Sequence, residues 1–223
     1  MARRRERGMS LVELLVGAAV GLIVVAAAGS VVAAHQAAAR RVQIEARLMQ
    51  DLRGAAELVS RDLRRAGHWA AAASGVRRGD EPAIVNPHTA IAAASGPAAV
   101  IALSFSTGAG DPASIADGER FGFRLRNAAI EMQLGDRNWQ ALSDPGTIVV
   151  TSFTIVPRVD EADLENFCAR PCSAGSVTCP PRQQVRSYEI SVAGRSAIDA
   201  LATRELRSVV RLRNDVVVGS CEA

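Results

Sequence analysis

Leu14 to Ala34 is a run of 21 residues without a charge, and no other stretch constrains the chain so strongly. Wound as a helix it reaches about 32 Å, at ~1.5 Å per residue, which is enough to cross a bilayer. A basic leader (Arg3, Arg4, Arg5, Arg7) precedes it and stops at Gly8. Five residues past that glycine a single carboxylate, Glu13, stands at the mouth of the span. A charge there costs free energy in hydrocarbon, so its place needs a reason, either a partner or a carboxylate that snorkels to the membrane surface. The leader favours a cytoplasmic N-terminus, whereas Arg40 and Arg41 beyond the span pull the other way.

Past Ala34 the helical pattern continues but changes character. Leu48, Leu52, Ala55, Val59, Leu63 and Ala66 recur at steps of three and four, which makes one apolar stripe. Arg47, Asp51, Arg53, Glu57, Arg61 and Arg64 fall on the other faces, and Glu57 and Arg61 have the spacing of an i,i+4 ion pair. Gly67 is the stop signal, and His68 behind it is expected to cap or pack there. Met9 to Ala66 then forms a helix of about 87 Å by the same rise. Its first half, 9–34, is apolar all round, and its second half, 35–67, is amphipathic and needs a surface to cover its stripe.

That surface is legible as strands. Ala98 to Phe105 is rich in apolar residues, and Phe121, Phe123 and Leu125 alternate with Gly122, Arg124 and Arg126. Asn127-Ala128 turns into a second alternating run, Ile130, Met132 and Leu134, giving a hairpin. Thr147 to Val156 is a strong strand that Pro157 is expected to end. Val185 to Val192 alternates with Tyr188 and Ile190 on one face, and Leu206 to Val218 holds one strand, or two around Asn214. Ala70 to Pro97 reads as an irregular connection, Thr107 to Gly118 as a loop, and Asp160 to Arg182 as a surface excursion. The predicted class is α+β: a long N-terminal α-helix packed on an antiparallel β-sheet, with residues 68–223 as a globular head.

Charge and cysteine content narrow the function. The net charge of +3 belongs to the leader, because Met1 to Gly8 carries four Arg and one Glu and the remainder is about neutral. No nucleic-acid-binding face is therefore expected. Cys168, Cys172, Cys179 and Cys221 cluster in the last quarter. Behind an export segment, four such cysteines read as disulfides in an oxidising compartment, with three pairings open. A zinc site is the rival, but Cys-x3-Cys-x6-Cys lacks the paired close spacings of a zinc ribbon. The acidic run Asp160, Glu161, Asp163 and Glu165 lacks the glycine and regular spacing of a calcium loop. His35, His68 and His88 are far apart, and no nucleophile elbow or phosphate-binding glycine loop occurs. Neither catalysis nor a cofactor or metal is expected.

Gly8-Met9-Ser10-Leu11-Val12-Glu13-Leu14-Leu15-Val16 resembles the class III signal of type IV prepilins and type II secretion pseudopilins. The resemblance implies that prepilin peptidase removes residues 1–8 after Gly8 and methylates Met9, where the family usually has Phe. Glu13 becomes the fifth mature residue and sets register in the filament by pairing with a neighbour's α-amino group. Gly17-x3-Gly21 has the spacing for close helix packing, but Gly21 and Gly29-Ser30 read better as weak points of the helix, in a chain without the proline that commonly breaks pilin helices there. A membrane-anchored or secreted binding protein with an ordinary secretory signal is the rival, with Ala26-Ala27-Ala28 as a cleavage site. Two features count against it: the apolar run exceeds a usual core of about 7 to 15 residues, and Glu13 sits at its start.

Two further stretches sharpen the likeness. Ser60-Arg61-Asp62-Leu63-Arg64-Arg65-Ala66-Gly67-His68 is similar to the close of the long helix in PilW-family minor pilins, and also in the type II secretion pseudopilin J. Leu206 to Asn214 resembles the PilW-family C-terminal strand that ends in Arg-Asn. This implies a minor pilin that helps to initiate or cap the pilus, supporting twitching motility, adhesion and DNA uptake. Its implied partners are prepilin peptidase, the inner membrane, and other minor pilins and the major pilin through the N-terminal helix. The subunit waits in the inner membrane with its head in the periplasm, then moves to the pilus.

Overall fold

The computed structural model describes residues 9–77, 79, 81–93, 100–108 and 111–222. Gly8 and the leader lie outside the described residues, as do Ala98 and Ala99 of the first expected strand. Among the described residues, one α-helix, α1 (Leu11–Arg65), is followed by nine strands. These are β1 (Ala92–Ala93), β2 (Val100–Ser104), β3 (Arg120–Arg126), β4 (Ala129–Leu134), β5 (Trp139–Ala141), β6 (Ile148–Asp163), β7 (Arg182–Ser196), β8 (Thr203–Arg211) and β9 (Val216–Val218). The chain divides into two compact units, 1–44 and 45–223.

In the larger unit, the stripe on α1 is the centre of the core. Leu48, Leu52, Ala55, Val59, Leu63 and Ala66 are all buried, against Phe105, Phe123, Ile130, Ile148, Ile190 and Val192. The class is α+β as expected, and the strands sort into two antiparallel sheets: β1-β2-β3-β4-β5, and β6-β7-β8 with β9 also on β7. The Asn127-Ala128 turn has φ of 51° and 59°, the left-handed pair that suits a right-twisted hairpin. Val150 N–H donates to Ala128 C=O at 2.8 Å and joins the sheets there. Strand β5 escaped sequence reading because three residues give no period. Its Trp139 lies under the Arg124 guanidinium at 4.0 Å, while Arg124 also binds Glu131 opposite it at 2.6 Å.

Three local expectations are corrected. Pro157 does not end its strand: β6 runs on to Asp163 and pairs Pro157 with Tyr188. The Leu164 N–H donates to Pro181 C=O at the start of the β7 side of the ladder. By alternation, even-numbered residues of this stretch face β7 and the Pro157 nitrogen faces outward, where an edge strand tolerates proline. Asp160, Glu161 and Asp163 are therefore strand residues and not loop residues. Arg61 pairs with the buried Asp62 at 3.0 Å and not with Glu57, because the buried carboxylate is the costlier one to leave alone. His68 is exposed and neither caps nor packs through its side chain, whereas its neighbour Trp69 is buried.

The end of α1 is held by groups from distant parts of the chain. The last carbonyls of a helix have no partner within it. Here the Asn214 side-chain amide donates to Ala66 C=O at 3.0 Å, and the Asn86 amide donates to Gly67 C=O at 3.0 Å. Gly67 has φ of +78° and donates its N–H to Ser104 C=O at 3.0 Å. Arg186 reaches the same place, donating to Thr89 C=O at 2.5 Å and Asn214 C=O at 3.1 Å. The two stretches Ser60–His68 and Leu206–Asn214, far apart in sequence, therefore meet at one hub.

Asn214→Ala strands a buried carbonyl and is expected to cost about 1–3 kcal/mol. Gly67→Ala is expected to cost about 1–2 kcal/mol, through the left-handed φ and a Cβ only 3.3 Å from that of Asn214. Denaturant unfolding of each variant measures both.

Beside this hub, His88 is 1% exposed, with Nε2 3.8 Å from Glu119 Oε2. Burial holds its pKa below 6.5, only partly opposed by Glu119, and His68 lowers it further. Burial pushes the Glu119 carboxyl up, but hydrogen bonds from Thr107, Ala116 and Ser106, with His88, bring it lower overall. A histidine with a depressed folded pKa binds its proton more readily when unfolded, so its contribution is complete above about 6.5 and is lost as pH falls. Glu119 adds a loss in the same direction below 4.5. The melting temperature should therefore fall as pH drops from 7.5 to 5.5, and His88→Gln should flatten that slope.

Candidate assembly site

Met9 and Ser10 precede α1, and Ser10 C=O accepts the first helical bond from Leu14 N–H at 3.1 Å. Glu13 lies in the first turn. Unsatisfied N–H groups there favour a carboxylate by about 0.3–1 kcal/mol. That gain is small against the cost of carrying a charge into an apolar bundle, so the helix alone does not explain Glu13.

Every residue from Met9 to Gln43 is exposed. Twelve large aliphatic side chains between Leu11 and Val32 lie open, Leu22 at 71% and Val25 at 68% among them. At about 2 kcal/mol per side chain, covering them is worth on the order of 20 kcal/mol. This helix is long and apolar enough to cross a membrane. Nothing within 4 Å would meet a Cβ added at Gly17, Gly21 or Gly29, so no contact inside this unit calls for those glycines. The helix is unbroken through Gly21 and Gly29, where Ser30 Oγ donates back to Ala27 C=O at 2.8 Å.

At the other end of the chain the four cysteines form two disulfides, Cys168–Cys221 and Cys172–Cys179. The sulfurs of Cys168, Cys172 and Cys179 lie within 4.8 Å of one another, so the two bridges sit side by side. Cys168–Cys221 ties the β6–β7 connection to the C-terminal segment, and Cys172–Cys179 closes a small loop within that connection. Glu222 strengthens the tie by accepting from Ser173 N–H at 2.9 Å and Ser173 Oγ at 2.8 Å, bonds that hold its carboxyl below the usual range. Gly219 makes the approach possible. A Cβ there would stand 2.3 Å from Thr178 C=O, and its neighbour Ser220 donates to that carbonyl at 2.9 Å.

The acidic run is already engaged: Glu161 accepts from Gln184 at 2.8 Å and pairs with Arg182 at 3.3 Å, while Glu165 accepts from Cys172 N–H. Among the described residues, no three carboxylate or imidazole groups converge as a metal site would require.

Sequence reasoning missed Arg186, yet a signal was present. Arg186 shares the buried parity of Tyr188 and Ile190 on β7, and a charge on an apolar face implies dedicated acceptors. Asn86 gave no such signal, being one polar residue in an irregular connection.

Breaking Cys168–Cys221 opens a loop with a sequence separation of 53, whereas Cys172–Cys179 closes one of only 7. Chain entropy puts the losses at about 4 and about 2.5 kcal/mol. Paired Cys→Ser variants compared by denaturant unfolding should rank in that order.

Comparison with known families gives two matches. The model described as prepilin peptidase-dependent protein B matches residues 41–212, which carry the amphipathic part of α1 and most of the head. The model described as the prokaryotic N-terminal methylation motif matches residues 3–29. No curated protein and no solved structure matches the chain.

Proposed function

The chain belongs to the family of prepilin peptidase-dependent protein B, and from that membership we propose that it is a minor type IV pilin that helps to initiate or cap the pilus. The observation that carries this reading is the apolar first half of α1, uncovered all round, with one carboxylate in its first turn. Its task is scaffolding and not catalysis.

Processing at Gly8 exposes the α-amino group of Met9. Lipid covers the helix while the subunit waits in the inner membrane with its head in the periplasm. On assembly, equivalent helices of other minor pilins and of the major pilin replace the lipid. Apolar burial is non-directional and leaves a helix free to slide. A Glu13 paired with a neighbour's α-amino group removes that freedom, because a slipped subunit leaves a charge alone in low dielectric.

A second reading, a J-type pseudopilin of type II secretion, draws on the similar helix end at Ser60–His68. Deleting the gene separates the two: loss of piliation supports the minor pilin, and loss of exoprotein secretion with normal pili supports the pseudopilin.

Glu13→Ala is expected to insert in the membrane at the wild-type level but to disappear from sheared pili. Recovery of the variant in sheared pili at wild-type level would contradict the register role.

A further inference from the structure

Strand β8 is the last strand of its sheet, hydrogen-bonded to β7 alone. The Leu212 N–H donates to Arg186 C=O on β7, so along this ladder even-numbered residues turn their backbone groups inward and odd-numbered ones outward. The outward groups of Glu205, Arg207, Val209 and Arg211 have no backbone partner among the described residues. An open row of this kind is a template for another strand.

Two ties hold this strand against α1. Arg204 pairs with Glu45 near its start, and Arg213 N–H donates to Arg64 C=O just past its end, at 3.4 Å. Between them strand and helix part to leave a groove of about 590 Å³, floored by the small residues Ala56 and Ser60 and walled by Leu206 and Ser208. The Ser208 hydroxyl has no hydrogen-bond partner. Arg53 and Arg64 border this groove, and Arg213 borders the one continuing from it. None of the three guanidinium groups has an ion pair among the described residues. Glu57 is the one carboxylate in the lining.

We propose that the open edge of β8 and this groove form a docking site for an extended, acidic strand from the head of a different pilin subunit. Main-chain bonds to Glu205, Arg207, Val209 and Arg211 supply the affinity, as in strand addition to a sheet edge. The unpaired Arg53, Arg64 and Arg213 supply the sign of charge required, and the small floor residues leave room for side chains of the incoming strand. The proposal rests on the reading of the chain as a filament subunit, since it is in a filament that heads of different pilins come side by side.

The probe is a short capped peptide alternating glutamate and valine, with an alternating lysine–valine peptide as control, titrated against the full mature chain in detergent. Binding of the acidic peptide, with slowed amide exchange at Arg207 and Val209, is expected. Val209→Pro removes one outward N–H and leaves the bonds to β7 in place, so affinity should fall at least tenfold. Should that variant fail to fold, the exposed double variant Arg53→Glu, Arg64→Glu should lose the acidic peptide and gain the lysine one. In piliated cells, a photo-crosslinking residue at 209 should reach an acidic strand of another pilin. Equal binding of both peptides, undiminished binding by the variants, or a crosslink to a second copy of this chain would overturn the proposal. Absence of the wild-type chain from sheared pili would instead remove the filament reading beneath it.

Discussion

An apolar helix that its own chain leaves uncovered governs this structure. Twelve aliphatic side chains between Leu11 and Val32 are open, and no rearrangement of a head already packed around Leu48, Val59 and Leu63 is needed to explain them. On the reading proposed, their cover comes from outside, first as lipid and then as other helices. Against that apolar background Glu13 has weight, because the helix N-terminus returns only about a kcal/mol to a carboxylate, and on the reading proposed a neighbouring subunit supplies the rest.

The head solves a separate problem, which is how to finish a long helix inside a core. An unpaired buried carbonyl costs about 1–3 kcal/mol, and the two residues that follow α1, Ala66 and Gly67, are both buried. Asn214 and Asn86 satisfy those two carbonyls, and Arg186 fastens Asn214 to the connection that carries Asn86. The C-terminal third thus closes the helix through Asn214, and its last residues close the β6–β7 connection through Cys221 and Glu222. On the reading proposed, one end of the chain serves export and assembly, while the contacts at the other end hold the head together.

How far the sequence carried depends on which interactions are local. The stripe Leu48 to Ala66 was legible because helix period and burial coincide, as was the Asn127-Ala128 hairpin, where turn chemistry is local. Likeness to known helix ends and C-terminal strands picked out Ser60–His68 and Leu206–Asn214, but no spacing rule says that Asn214 caps Ala66, since that bond closes a separation of 148 residues. The pairing of the cysteines was open for the same reason, and so was the sorting of strands into two sheets. Pro157 misled because its effect depends on whether its nitrogen faces a neighbour, which only the finished sheet decides. The role of Glu13 is the reverse case: it stands out in sequence, and its proposed partner belongs to another subunit.

The central claim is that the chain is processed as a pilin and keeps its apolar helix, and the mature N-terminus tests it most directly. Protein recovered from the cell envelope, analysed by N-terminal sequencing and intact mass, should begin at an N-methylated Met9 and retain everything from there to residue 223. A mature chain starting near Gly29, after cleavage beyond Ala26–Ala28, would contradict the account, since it would discard Glu13 and most of the helix the assembly reading requires.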